Sequence, residues 1–98
     1  MARKPPRRAA PPVMLGANLG LMAAGPLAAD LLARRGQDLG LDASGVTRLG
    51  GQCLQVLLSA RATWQADGHA FTVVAASPEF TETSALLGAA DLAARQEA

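Results

Sequence analysis

One short stretch of the chain gathers the residue types that chemistry needs. Between Asp42 and Cys53 lie a carboxylate (Asp42), two hydroxyls (Ser44 and Thr47), a glycine pair (Gly50 and Gly51), an amide (Gln52) and the single cysteine of the 98-residue sequence. Glycines at a helix start let the backbone approach a partner closely and leave N–H groups free, an arrangement that can hold a phosphate or an acidic side chain. The same pair can equally serve as a tight strand-to-helix turn. Spacing alone favours the turn, because no Gly-Lys-Ser/Thr follows to make a phosphate-binding loop. Asp42 reads as a contact residue or a turn-stabilising carboxylate, and Ser44 as a hydroxyl that bonds local backbone.

A catalytic reading fails on the inventory. Cys53 at a helix N-terminus would have a lowered thiol pKa, but its spacing from Leu57, Ala60 and Trp64 places it on a core-facing stripe. The one histidine, His69, falls in a turn after that helix and reads as an exposed turn residue. One His and one Cys make no metal cluster, and Asp30, Asp38, Glu79 and Glu82 show no paired spacing for acid–base work, so they read as solvated surface. No catalytic residue, metal site or cofactor is expected, and the chain reads as not an enzyme.

The elements that position this stretch can be followed along the chain. Val13 and Leu15 open a strand, and Leu19 and Leu21 alternate as a weak second one. Pro26 suits the first turn of a helix with Leu27, Leu31 and Leu32 on one side, Arg34 and Arg35 in its last turn and Gly36 as its cap. Leu39–Leu41 is a short apolar strand ending at Asp42. The second helix is predicted from Gly51 to Ala66, Asp67-Gly68 is a turn, and Phe71–Ala76 is a buried strand. Ser77-Pro78-Glu79 combines an N-cap hydroxyl, a first-turn proline and an acid at the positive dipole end. The helix it starts carries Phe80, Leu86 and Leu87 and stops at Gly88, and a further helical turn is expected near Asp91. Such alternation implies an α/β fold, a small mixed β-sheet packed by helices.

Composition sets the limits. Half the residues are apolar, but Trp64, Phe71 and Phe80 are the whole aromatic content, so one small core must be built from Leu, Val and Ala. The net charge of +1 conceals an asymmetry: residues 1–12 carry Arg3, Lys4, Arg7 and Arg8 with no acid, and the remainder has five Arg against eight Asp and Glu, a balance of −3. An acidic folded part argues against nucleic acid as partner. Four of the six prolines also fall in residues 1–12, which read as a disordered tail preceding a single domain over 13–98. Gly16, Asn18 and Gly20 interrupt the apolar run that a leader peptide would need, and that run is too short to span a bilayer. The lone cysteine fits a reducing compartment, so a cytoplasmic protein without stable membrane insertion is expected.

The run Leu41-Asp42-Ala43-Ser44-Gly45-Val46-Thr47-Arg48-Leu49-Gly50-Gly51-Gln52-Cys53-Leu54-Gln55-Val56-Leu57-Leu58 resembles the signature of the STAS domains, the anti-sigma factor antagonist family. In that family a strand ends near an Asp, and Asp-(Ser/Thr)-(Ser/Ala)-Gly-Leu then opens a helix. The first hydroxyl of the loop is the phosphorylated or partner-contacting residue. The positions aligned with that motif are Gly50, Gly51, Gln52, Cys53 and Leu54, so the phosphoacceptor is missing: Gly51 has no hydroxyl and Gln52 cannot take phosphate. Phe71–Leu87 is similar to the family's last strand, Ser-Pro helix start and closing Leu-Leu-Gly. The resemblance covers roughly residues 13–92 and is closest in wording to STAS proteins accompanying chemotaxis operons.

It implies a non-enzymatic protein-interaction module of bacterial signal transduction with a degenerate phosphoacceptor loop. The partner would be another signalling protein: a regulatory or chemotaxis kinase, or an anti-sigma-type kinase. Its contact surface would be Ser44, Thr47, Gly50, Gly51, Gln52 and Gln55, with Ser44 and Thr47 as alternative phosphoacceptors. The second implied function is the cytoplasmic STAS subunit of a lipid-transport ABC system.

Overall fold

The computed structural model describes residues 11–93, so the expected tail lies, except for Pro11 and Pro12, outside the described residues. Ten elements follow among them: β1 (Val13–Met14), β2 (Asn18–Leu19), a 3-10 turn (Leu21–Ala23) running into α1 (Ala24–Leu32), β3 (Leu39–Ala43), β4 (Arg48–Leu49), α2 (Gly51–Ala66), β5 (Phe71–Ala76), α3 (Pro78–Leu86) and the short α4 (Ala90–Ala93). The small sheet has the order β1-β3-β5, with β2 and β4 pairing beside it. The result is the α/β class expected, a small sheet packed by helices. Every described strand pair is parallel, as it must be when helices form the crossovers.

Leu41 lies at the centre of the sheet, opposite Val13 on one side and Val73 on the other. The register then slips, and Asp42 pairs with Ala75, leaving Val74 as the extra residue of a bulge. Bulges re-aim the residues that follow them, and this one falls at the strand end that delivers Asp42 to the loop. Gly40 is small for a reason on the same spot: a Cβ there would sit 3.3 Å from Val74 Cγ1.

The core lies between sheet and helices. Leu27 and Leu31 of α1, Cys53, Leu54, Leu57 and Trp64 of α2, and Phe80 of α3 close over Leu39, Leu41, Ala43, Phe71 and Val73. The α2 stripe is as its spacing predicts, with Cys53, Leu57 and Trp64 buried and Ala60 half-buried. The buried indole N–H of Trp64 donates to Gln37 O at 2.8 Å, and its ring meets Phe71 edge-on at 5.8 Å and 64°, a contact of about 1 kcal/mol beyond burial. Ser77 caps α3 as expected, accepting from Phe80 N at 3.0 Å. Gly88 takes the left-handed conformation (φ 83°) just past the C-cap of α3, whereas Gly36 (φ 98°) closes the turn that follows α1, whose own C-cap is Ala33.

Several apolar assignments are corrected. Leu32, Leu86 and Leu87 are exposed rather than core residues, because α1 and α3 each turn only a narrow face inward. Leu21 is exposed too, since the second strand stops at Leu19 and the chain rises into the 3-10 turn. Arg34 and Arg35 lie beyond the last α-helical residue, in a tightened turn whose N–H groups donate to Leu31 O and Leu32 O. Asp30 and Asp38 are not simply solvated: Asp30 pairs with Arg34 at 3.2 Å, and Asp38 accepts from Ala70 N at 3.0 Å. His69 is half-buried, with Nδ1 3.3 Å from Asp38 Oδ1.

Candidate functional site

The loop between β3 and α2 is held by hydrogen bonds to the Asp42 carboxylate and to backbone carbonyls of the loop and its neighbours. Asp42 Oδ1 accepts from Ser44 N at 2.9 Å and from Ser44 Oγ at 2.6 Å. The Ser44 hydroxyl, and then its N–H, hold the Asp42 carboxyl below the usual carboxylate range. Asp42 is thus a turn-stabilising carboxylate. Thr47 joins the loop to the β1–β2 connection: its N–H and its hydroxyl both reach Ala17 O, at 2.8 and 3.1 Å. From beneath, buried Ser77 donates its Oγ proton to Val46 O at 2.6 Å, while Ser77 N donates to Ala43 O at 3.0 Å.

The two glycines divide the labour. Gly50 is the N-cap of α2, in extended conformation (φ −91°, ψ 163°), and its N–H donates to Leu19 O at 2.8 Å. A Cβ on Gly50 would lie 3.3 Å from that carbonyl and 3.7 Å from Gly20 Cα, so here the glycine serves backbone approach. Gly51 is the first helical residue, is exposed and does not have positive φ, and a Cβ there would meet nothing within 4 Å. No side chain caps α2 and no acid lies in its first turn. The N-terminal N–H groups therefore lack a side-chain acceptor, and the dipole end is uncompensated.

The loop brings Ser44, Thr47, Gly51, Gln52 and Gln55 to the surface, all exposed, with Gly50 half-buried beside them. Cys53 points the other way. It is fully buried, its Sγ donates to Gly20 O at 3.4 Å, and burial pushes its thiol pKa up. A protonated thiol held against a carbonyl is no nucleophile. Among the described residues no group of three or more His, Cys, Asp or Glu is placed to hold a metal ion, and no helix is long and apolar enough to cross a membrane.

Two features of the site are absent from the sequence reading. Ser77 is identifiable as an N-cap, but nothing in a local pattern shows that it also holds Val46 from 31 residues away. The second is a groove of about 290 Å³ between α1 and α2, continuing from Gln52 and Gln55 along Val56 and Ala60 towards Leu31 and Leu32. The helical period could have indicated it. Val56 falls beside the Cys53–Leu57–Ala60–Trp64 stripe, and the half-burial of Val56 and Ala60 shows that the apolar face of α2 is wider than α1 covers.

The described residues thus form a parallel α/β domain that exposes a glycine-opened helix start with a shallow groove beside it. The sequence matches the family described as "Mlab, STAS domain" over residues 5–94, and the chain belongs to the STAS domain family. No curated protein and no solved structure matches it. As a STAS domain the chain is a non-catalytic module of regulation and protein interaction.

Proposed function

We propose that the chain is an adaptor of bacterial signal transduction. In this reading it binds a signalling protein, a chemotaxis or other regulatory kinase or an anti-sigma-type kinase, in the cytoplasm, and residues 13–98 are the binding domain. The partner surface comprises Ser44, Thr47, Gly50, Gly51, Gln52 and Gln55. The observation that carries the reading is the open start of α2: Gly51 is exposed with free space where a side chain would be, next to N–H groups that no side chain caps. A partner carboxylate or carbonyl can approach there, and Gln52 and Gln55 supply adaptable donors and acceptors around it. The Ser44 hydroxyl is engaged by Asp42 and that of Thr47 by Ala17 O of the β1–β2 connection, which supports surface recognition over phosphate switching.

The alternative, the cytoplasmic STAS subunit of a lipid-transport ABC system, would use the same face; the family description, which pairs Mlab with STAS, keeps it in view. One experiment separates the two. A photo-crosslinking residue is placed at Gln52 in the full chain, expressed in its native host, and the adducts are identified by mass spectrometry. A signalling kinase supports the adaptor, and a transport ATPase replaces it with the alternative. Adducts formed from a crosslinker at Leu86 but none from Gln52 would overturn the site itself.

A further inference from the structure

Three of the four described arginines are neutralised: Arg34 pairs with Asp30 at 3.2 Å, Arg35 with Asp67 at 2.8 Å and Arg61 with Asp91 at 3.3 Å. Arg48 is exposed and has no acidic partner among the described residues. It borders one depression of about 260 Å³ together with its register partner Asn18, Gly20, Leu21 and Met22, and no acid lines that depression. Leu21 is 71% exposed and Met22 89%, so two large apolar side chains and an uncompensated cation share a single recess. The adjoining depression, which shares Asn18 and Ala23, is bordered by Asp30, whose carboxylate is held by Arg34. The recess abuts the start of α2. Gly50 N donates to Leu19 O at 2.8 Å, Cys53 Sγ donates to Gly20 O at 3.4 Å, and a Cβ on Gly50 would stand 3.7 Å from Gly20 Cα.

We infer that the partner protein seats an acidic side chain on Arg48 and a neighbouring large apolar side chain against Leu21 and Met22. The inference rests on the reading of the chain as a protein-binding adaptor, and it extends the contact surface across Gly20 to the turn before α1. Charge complementarity selects this occupant. Arg48 and the uncapped dipole end of α2 place positive potential at neighbouring points, and no acid in the recess offsets it. A guanidinium matches a carboxylate through two parallel N–H···O bonds, and Arg48 breaks no ion pair among the described residues to form them. A free inorganic anion would satisfy Arg48 but leave Leu21 and Met22 in water, whereas a protein segment covers all three. Arginine and methionine are also residue types enriched in protein interfaces.

The test places a photo-crosslinking residue at Met22 of the full chain in its native host and compares it with the same residue at Gln52. The expected result is one protein adducted from both positions, the Met22 adduct lying on a peptide that carries Asp or Glu beside a large apolar residue. With that protein purified, Arg48→Glu should weaken binding about tenfold or more, and changing the peptide's acid to arginine should restore it. Met22→Ser should also weaken binding, whereas Leu86→Ser, at an equally exposed apolar position at the end of α3, should leave it unchanged. Circular dichroism confirms that each variant keeps the fold. Adducts from Gln52 with none from Met22 would overturn this inference and leave the adaptor reading standing; protein adducts from neither would overturn both. Adducts from Met22 with none from Gln52 would support the recess and remove the loop surface. A Met22 adduct to lipid or to a second copy of this chain alone, or an Arg48→Glu variant that binds with unchanged affinity, would overturn the inference.

Discussion

Replacing Gly51 by glutamate should make the domain more stable while destroying its proposed interface. Gly51 is the first residue of α2, lacks positive φ, and has open space where a Cβ would stand. Substitution at such a position removes conformational freedom from the unfolded chain, a gain of about 0.4–1 kcal/mol. The new carboxylate also faces the uncapped positive end of a 16-residue helix with no acid in its first turn, a further 0.3–1 kcal/mol or so. The combined gain is about 1 kcal/mol, which raises Tm by roughly 4–8 °C in a domain of this size. Its neighbour provides the control: at Gly50 a Cβ would press to 3.3 Å from Leu19 O, so Gly50→Ala should lower Tm, with overpacking costing on the order of 1 kcal/mol. Melting followed by circular dichroism at 222 nm reads both, and titration with the crosslinked partner reads binding. Gly51→Glu at or below the wild-type Tm would refute the helix-start argument. A stabilised Gly51→Glu that still binds with unchanged affinity would place the interface elsewhere.

Three further outcomes are expected. Cys53, buried and with its thiol pKa raised, should react with a thiol reagent far more slowly in the native protein than in denaturant; comparable rates would show that α2 is rotated from its observed phase. Ser77→Ala removes the α3 cap and leaves Val46 O without its donor, so urea titration should show a loss of about 2 kcal/mol, with neither half of that loss appearing if the hydroxyl is dispensable. Asp42 and Asp67 both have lowered pKa values, from the hydrogen bonds of Ser44 and Arg35 respectively; a depressed carboxylate stabilises the fold above its unfolded pKa and loses that contribution as pH falls through its folded one, so stability should be flat from about pH 5 to 7 and fall below about pH 4. NMR titration checks this: a carboxyl of Asp42 titrating above the usual carboxylate range would contradict the loop geometry, and one of Asp67 would contradict its pairing with Arg35.

What was legible in the sequence follows from where the signals are local. The bounds of α2 and β5 are those the pattern predicts, because a glycine-opened start, a four-three-four apolar stripe, an Asp-Gly turn and a Ser-Pro cap are all short-range devices. Positions near helix ends are not fixed by the same pattern. Leu32, Leu86 and Leu87 carry apolar side chains at the margins of helices of nine residues each, where one step of 100° moves a residue from core to solvent and periodicity over two turns cannot fix the phase. The candidate loop was legible as a location but not as a structure. Its carbonyl acceptors, Ala17 O for Thr47 and Leu19 O for Gly50, come from 30 or so residues upstream, and backbone acceptors carry no residue-type signature.

That cross-chain stitching bears on how such a module can be regulated. A phosphate acts by creating new charge-assisted contacts or by breaking existing ones, and here the second effect would dominate. On Ser44 it would replace the hydroxyl that Asp42 accepts at 2.6 Å and set a second negative charge against a carboxylate already held in its anionic form, so the turn would open. On Thr47 it would remove the side-chain bond to Ala17 O and loosen the link between β2 and β4. Both hydroxyls are structural parts of the loop, and Gly51 at the start of α2 has no side-chain hydroxyl to take a phosphate in their place. The proposed surface would therefore present one fixed face to a partner. In that reading its occupancy is set by the partner's concentration rather than by modification of the loop.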